Sequence, residues 1–232
     1  MSITLDPPWL EFDLGQPMQV LSWAPYGAGF RQTTQILWRQ VRNADLPPEL
    51  DVECWLADAL ATKGKGDCVC MLTSRDVATH HVAQASIMGV TAVAVATVGL
   101  SNAERVGQRV DRSGRDWDRD LHIAPIPKPL GTINIGLRID TGLSQTGLLE
   151  AMSIATQART TAILDSAHHL PCGQGLATGT GTDCIAVAAP NGTANYAGLH
   201  TEIGEAIGRA VMTAVSNGAR EWQATIGQIS DG

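Results

Sequence analysis

The chain has 232 residues, of which 44% are hydrophobic, with 16 basic and 23 acidic side chains. This size and composition predict one domain, residues 1–232, with a substantial buried core. The formal net charge of −7 comes without a stripe of Lys or Arg, so nucleic acid is not an expected partner. The amino-terminal segment lacks a basic start and an apolar core, and no apolar stretch resembles a membrane span, so we expect neither export nor a membrane partner.

The five cysteines are an odd number, which argues against a complete disulfide framework and favours a reducing, cytoplasmic compartment. Cys68 and Cys70 alternate within an apolar segment, so both are expected on the same face of one strand. Further ligands are lacking nearby, and the adjacent His pairs would diverge on regular elements. The sequence therefore predicts buried structural thiols and no metal site.

Hydrophobic periodicity and turn residues predict an alternating series of elements. In chain order these are a hairpin of strands 10–14 and 19–23, helices 33–41 and 52–61, a strand 68–72, a helix 76–88, strands 91–97 and 131–139, a helix 144–165, a strand after Asp183 and a helix 201–217. The charged residues of 105–120 predict a solvated loop excursion. Mixed strands and helices predict an α/β or α+β layered sandwich, with the helices on its outer faces.

The last two predicted helices carry small residues on their apolar faces. Ala151, Ala155, Ala158 and Ala162 form such a stripe on the first of them, which should pack closely on the sheet. Faces of this kind would also suit a homodimer.

Two segments place polar side chains at the ends of rigid elements, where sites are commonly built. Residues 179–188 join a small-residue turn, Asp183 and an apolar strand, and residues 196–205 put His200 at a helix start. Asp183 and His200 could act as base and acid in amide cleavage, with main-chain N–H groups near Thr201 and Glu202 facing an anion. Equally, Asp183 could cap a turn, His200 could be a boundary residue, and Thr201 could be an N-cap.

The order of several motifs resembles the adenosylcobinamide amidohydrolase family of corrinoid salvage. The matching segments are 21–29 (Leu-Ser-Trp-Ala-Pro-Tyr-Gly-Ala-Gly), 71–73 (Met-Leu-Thr), 97–103 (Thr-Val-Gly-Leu-Ser-Asn-Ala), 131–135 (Gly-Thr-Ile-Asn-Ile), 179–183 (Gly-Thr-Gly-Thr-Asp) and 196–202 (Tyr-Ala-Gly-Leu-His-Thr-Glu). The resemblance implies hydrolysis of the amide between the corrin propionate and aminopropanol, which releases adenosylcobyric acid. The corrinoid would be the substrate, and no cofactor is expected. The expected substrate-binding residues are Ser22, Asn102, Asn134, Thr180, Thr182, Thr201 and Glu202.

A second resemblance concerns mechanism. Residues 131–140, the helix that follows, and the Gly/Thr loop before Asp183 are similar in order to self-processing β-aminopeptidases and ornithine acetyltransferase, which implies an αββα sandwich. Carried over, the bond between Gly131 and Thr132 would be cleaved and Thr132 would be the nucleophile, its α-amino group serving as base. Thr132 is equally compatible with an ordinary first strand residue. The alternatives to the amidohydrolase are therefore an aminopeptidase or acyltransferase of this type, and a corrinoid-binding protein without catalysis.

Overall fold

The computed structural model describes residues 1–47, 49–108, 131–170 and 174–225. The strands within these ranges are β1 (Ser2–Asp6), β2 (Trp9–Ser22), β3 (Gly29–Gln40), β4 (Val69–Thr73), β5 (His81–Ile87), β6 (Val90–Val98), β7 (Ala103–Glu104), β8 (Ile133–Ile139), β9 (Gly179–Thr180) and β10 (Cys184–Ala189). The helices are α1 (Val52–Thr62), α2 (Gln145–Asp165) and α3 (Glu202–Thr225). In this part of the chain, no helix is long and apolar enough to cross a membrane.

Eight strands form one mixed sheet in the order β4-β3-β2-β10-β8-β6-β5, with β1 paired to the first half of β2. The pairs β3–β4 and β8–β10 are parallel, whereas β2 is antiparallel to both β3 and β10. β7 and β9 form a separate short ladder. Because β8 and β10 are parallel, the residues that precede them lie at the same end of the sheet.

The sheet folds over itself, so that β3 and β4 cover β8. A Cβ atom at Gly136 of β8 would lie 2.5 Å from the ring of Trp38 of β3, and Asn134 of β8 donates a hydrogen bond to the carbonyl of Leu72 on β4. A buried apolar cluster fills the space between these two layers of strands. Its members include Leu10, Phe12, Ile36, Trp38, Met71, Val93, Val95 and Ala186.

Helices cover the two outer faces. Leu56 and Leu60 of α1 pack on Leu37 and Cys70 at the face of β3 and β4. α2 and α3 pack on the other outer face, where the predicted alanine stripe of α2 is buried. The arrangement is an αββα sequence of layers, and the predicted layered sandwich is confirmed.

The sequence prediction is wrong for the first hairpin and the first helix. β2 is one strand of 14 residues that continues through Gly15, where the φ angle is +82° and its register with β3 shifts. Residues 33–41 belong to strand β3. The apolar residues Ile36, Leu37 and Val41 fit a helical face, yet Ile36 and Leu37 are buried on opposite sides of β3, which has an apolar layer on each side.

Two further element predictions need correction. Asp76 caps only a short 3-10 turn, Val77–Thr79, and the chain then forms strand β5 in place of a helix to residue 88. α3 continues past Gly218 to Thr225. Gly218 lies inside the helix, and the close packing there favours glycine because a Cβ atom would approach Val98 Cγ2 to 2.6 Å. Most of the predicted charged excursion, from residue 109 onward, lies outside the described residues.

Candidate functional site

Thr132 lies immediately before β8, at the end of the sheet where β8 and β10 begin. Its side chain is only 5% exposed. The hydroxyl oxygen lies 3.0 Å from Oδ1 of Asn134 and 2.8 Å from the carbonyl oxygen of Thr182. A hydroxyl carries one proton, so Thr132 donates to one of these acceptors at a time. Both acceptors hold the hydroxyl at the end of the space between the two strand layers.

The surroundings of Thr132 are fixed by main-chain packing. Asn134 donates from Nδ2 to the Leu72 carbonyl, which turns its Oδ1 toward Thr132. The Gly99 amide donates to the Thr132 carbonyl at 2.9 Å. A Cβ atom at Gly131 would lie 2.5 Å from the Ser101 amide nitrogen and 2.7 Å from the Gly99 carbonyl oxygen. The close approach therefore requires glycine immediately before Thr132.

Asp183 follows the turn that carries Thr182. Its side chain is 7% exposed and contacts Nη1 of Arg159 on α2. The carboxylate also accepts hydrogen bonds from the amide of Ile133 at 3.2 Å, from the amide of Thr180 at 3.1 Å and from the Thr180 hydroxyl. Burial raises the pKa of Asp183, while Arg159 and the hydrogen bonds act in the opposite direction. With both oxygens engaged, Asp183 holds the turn against β8.

Asn102 approaches the same turn from the loop after β6. Its Nδ2 donates to the Thr182 hydroxyl at 3.2 Å, and that hydroxyl donates to the Gly131 carbonyl at 3.1 Å. Oδ1 of Asn102 is buried and has no hydrogen-bond partner among the described residues. The structure thus brings together six of the predicted residues. These are Thr132, Asn134, Asn102, Thr182 and Asp183, with Thr180 attached through Asp183.

Ser22 lies at the edge of this cluster, but its hydroxyl is already used. It donates to the Ile185 carbonyl at 2.8 Å and accepts from the Ala24 amide at 3.1 Å. Ser22 is also only 4% exposed. Its contacts therefore fix the end of β2 and leave little for a ligand.

His200, Thr201 and Glu202 lie at the other end of the sheet. The loop between β10 and α3 packs where β8 ends, because the Leu143 amide donates to the Pro190 carbonyl and the Ala197 amide donates to Glu150 of α2. His200 is exposed and lines a groove of about 520 Å³ beside the first turns of α2. The length of β10 separates His200 from Asp183, although the groove itself extends along α2 as far as Gln157. The expected pairing of Asp183 with His200 is therefore not found.

Thr201 caps the N-terminus of α3, which is one of the two roles that the sequence allowed for it. Its hydroxyl accepts from the Gly204 amide at 2.9 Å, which is the pattern of an N-cap for α3. Glu202 begins the helix, where a carboxylate is favoured by the helix dipole.

Sequence reasoning missed Arg159 and Trp23. Arg159 is the sole basic residue of α2. A single charge in a helix rich in small residues could have marked it as a candidate partner for a buried carboxylate. Trp23 donates from Nε1 to the Asp183 carbonyl at 2.9 Å although its side chain is 49% exposed.

In the described ranges, no group of three or more His, Cys, Asp or Glu side chains could hold a metal ion.

A comparison with protein families shows which family this chain belongs to. The model of the CbiZ family, described as adenosylcobinamide amidohydrolase, matches residues 2–226. The chain belongs to the CbiZ family. CbiZ membership places it among hydrolases that act on amides. A relative from Methanocaldococcus jannaschii, the uncharacterized protein MJ1613, is 32% identical over 189 residues, which cover 77% of this chain and 70% of the relative.

Solved structures are similar to this CbiZ member only at a distance. The PH0078 protein from Pyrococcus horikoshii OT3 has a TM-score of 0.42 and 11% identity, covering 90% of this chain and 76% of that chain. A Burkholderia sp. beta-aminopeptidase has a TM-score of 0.39 and 13% identity, covering 90% of this chain and 78% of that chain. Similarity at this level transfers neither a reaction nor a substrate.

Proposed function

We propose that this chain hydrolyses the aminopropanol amide of adenosylcobinamide, giving adenosylcobyric acid for corrinoid salvage in the cytoplasm. The corrinoid is the substrate, and the reaction needs no cofactor. The observation that carries the proposal is the buried Thr132 hydroxyl, held by Asn134 and Thr182 in a chain of the CbiZ family. A hydroxyl fixed at the start of a buried strand is a suitable nucleophile for acyl transfer.

In the proposed reaction, Oγ1 of Thr132 attacks the carbonyl carbon of the substrate amide. The C–N bond breaks, the hydroxyl proton passes to the leaving amine, and aminopropanol departs. The acyl group remains as an ester on Thr132. Water then attacks this ester, and one of its protons returns to Thr132 while the other leaves with the product acid, which ionises to the carboxylate.

Asn102 is proposed to stabilise the oxyanion. An amide nitrogen carries two N–H groups, and one from Asn102 points to the Thr182 hydroxyl, which in turn bonds the carbonyl next to Thr132. The second N–H is proposed to meet the developing negative charge, because a preorganised donor at that point lowers the barrier.

Asp183 and Arg159 are proposed as positioning residues. Asp183 binds the amide of Ile133, the residue after Thr132, and also binds Thr180, two residues before Thr182. It therefore ties the nucleophile and one of its acceptors to the same carboxylate. Arg159 provides a positive charge beside this buried carboxylate, which opposes the rise that burial causes in the pKa of Asp183.

The exposed Thr182, together with Thr180, is proposed to bind the polar side chains on the corrin rim. Both hydroxyls already donate within the protein, to Asp183 and to the Gly131 carbonyl, so they are proposed to accept hydrogen bonds from the N–H groups of carboxamides. Asn134 serves the same site from inside by holding Thr132.

A self-processed form is the second candidate. In the described part of the chain, the hydroxyl of Thr132 contacts an amide oxygen and a main-chain carbonyl, neither of which is a strong base. Cleavage between Gly131 and Thr132 would create a free α-amino group next to the hydroxyl, which could serve as base. Such an enzyme could act on small aminoacyl amides or peptides.

The first experiment incubates purified protein with adenosylcobinamide and uses mass spectrometry to detect adenosylcobyric acid and aminopropanol. Both products should accumulate with wild type and be absent from the Thr132→Ala variant. Binding of adenosylcobinamide without either product would instead select a passive corrinoid-binding protein.

Intact-mass measurement of the same protein tests self-processing. A full-length chain that turns over substrate eliminates the self-processing candidate. Two fragments that meet between Gly131 and Thr132, with turnover of aminoacyl amides, would favour the peptidase.

A further inference from the structure

An exposed aromatic surface adjoins the Thr132 site. Trp23 is 49% exposed and Phe30 is 44% exposed, in a chain with only 4% aromatic residues. Phe30 pairs with Leu21 across β2 and β3, which puts it diagonally opposite Trp23 at the end of the same ladder. Diagonal neighbours of this kind are within reach of each other when the side chains are aromatic. Both rings are therefore exposed at neighbouring positions at this end of the sheet.

The position of Trp23 is fixed in spite of its exposure. Its Nε1 donates to the carbonyl of Asp183, whereas the hydroxyl of Thr132 lies beside the carbonyl of Thr182. These two carbonyls belong to consecutive residues, whose Cα atoms lie about 3.8 Å apart. A single turn therefore links the exposed ring to the buried hydroxyl.

The place around Thr132 and the surface beside Trp23 would contact different parts of a substrate. Thr132 is only 5% exposed, so a large ring system cannot lie against its hydroxyl. Gly181 and Thr182, beside Trp23, are exposed. Any bulky remainder of a substrate must then stay outside, against the surface next to this turn.

We propose that Trp23, supported by Phe30, binds the corrin macrocycle while the scissile amide reaches Thr132. This inference rests on the proposed function and extends it by assigning the subsite for the ring. A large, flat and mostly apolar ring edge matches an aromatic surface that is exposed and held in orientation. The hydrogen bond to Asp183 keeps the ring in place before the substrate arrives, which lowers the entropic cost of binding.

The test measures KM and kcat for amide hydrolysis with wild type, Trp23→Ala, Trp23→Phe and Phe30→Ala. Trp23→Ala should raise KM about tenfold or more, and Phe30→Ala should raise it by a smaller factor. Trp23→Phe should restore most of the affinity because it keeps an aromatic face. Tyr196→Ala is the matched control, since Tyr196 is 74% exposed but lies at the other end of the sheet, and its KM should equal that of wild type.

Two substrates distinguish the ring from the upper ligand. Cobinamide with cyano ligands in place of the adenosyl group should show the same KM increase for Trp23→Ala. An increase seen only with adenosylcobinamide would overturn the assignment to the macrocycle. An unchanged KM for all Trp23 variants, with active wild type, would overturn the subsite and leave the proposed function intact. Wild type that neither binds nor cleaves either compound would instead remove the proposed function itself.

Discussion

The guanidinium of Arg159 contacts the carboxylate of Asp183, and this buried pair connects α2 to the turn beside Thr132. The side chains are 14% and 7% exposed. Removing one partner leaves an uncompensated buried charge, which is strongly destabilising. We therefore expect Arg159→Met to lower the free energy of unfolding by about 3–5 kcal/mol.

Denaturant unfolding of wild type, the single variants and the double variant Arg159→Met/Asp183→Asn measures this coupling. The double variant should lose less than the sum of the two single losses, because no buried charge is left without a partner. Strict additivity would show that the two side chains do not interact.

Thr132→Ala should abolish turnover while leaving the fold intact. The substitution removes the hydroxyl but keeps the Cβ atom, so kcat is expected to fall by roughly 10³-fold or more with little change in the melting temperature. Thr132→Ser is the matched control and should keep substantial activity, because it retains the oxygen that Asn134 and Thr182 hold. Wild-type kcat in Thr132→Ala would remove Thr132 from the mechanism.

His200→Ala tests the separation of the two ends of the sheet. Because His200 is exposed and lies beside α3, its loss should change kcat/KM by no more than about twofold. Asp183→Asn should lower kcat strongly, since it removes a charge that holds both Thr180 and Ile133. A large loss in His200→Ala would show that the groove at α3 takes part in the reaction.

Gly136→Ala tests the contact between the strand layers. The added Cβ atom would lie 2.5 Å from the ring of Trp38, so overpacking should lower the free energy of unfolding by about 1–3 kcal/mol. At Gly208 in α3 the corresponding space is open, and Gly208→Ala should instead stabilise by about 0.5–1 kcal/mol. Thermal unfolding of the two variants should thus show shifts of opposite sign.

Acidification should weaken the fold through two histidines. Burial lowers the pKa of His81 and of His168, which packs edge-on against Trp222. As pH falls below the unfolded pKa of 6.5, the unfolded chain takes up these protons before the folded chain does. Stability should therefore decline from that pH down to the folded pKa values and change no further through these groups below them.

Melting temperatures from about pH 7 to about pH 5 measure this effect. The His81→Gln/His168→Gln variant should show a smaller decline over the same interval. A decline of equal size in that variant would assign the pH dependence to other groups.

The sequence alone was enough to predict those helices and strands whose capping residues and apolar pattern match the burial found in the structure. Ser144 at an N-cap and an alanine stripe define α2, and the continuous apolar residues of β6 predict a strand buried on both faces, as found. Family membership was also predictable, because the matching motifs stand at fixed places along the chain. The same motifs contain Thr132 and Asp183, which is why the sequence offered them as candidate site residues.

Only the tertiary structure decided how these residues combine. Ile36, Leu37 and Val41 fit a helical face, but residues 29–40 form strand β3 because pairing with β2 and β4 satisfies its backbone while apolar layers bury both faces. His200 looked close to Asp183 along the chain, yet β10 runs the length of the sheet between them. Arg159 and Trp23 reach Asp183 from distant segments. Such contacts depend on how layers pack in space, which local periodicity does not specify.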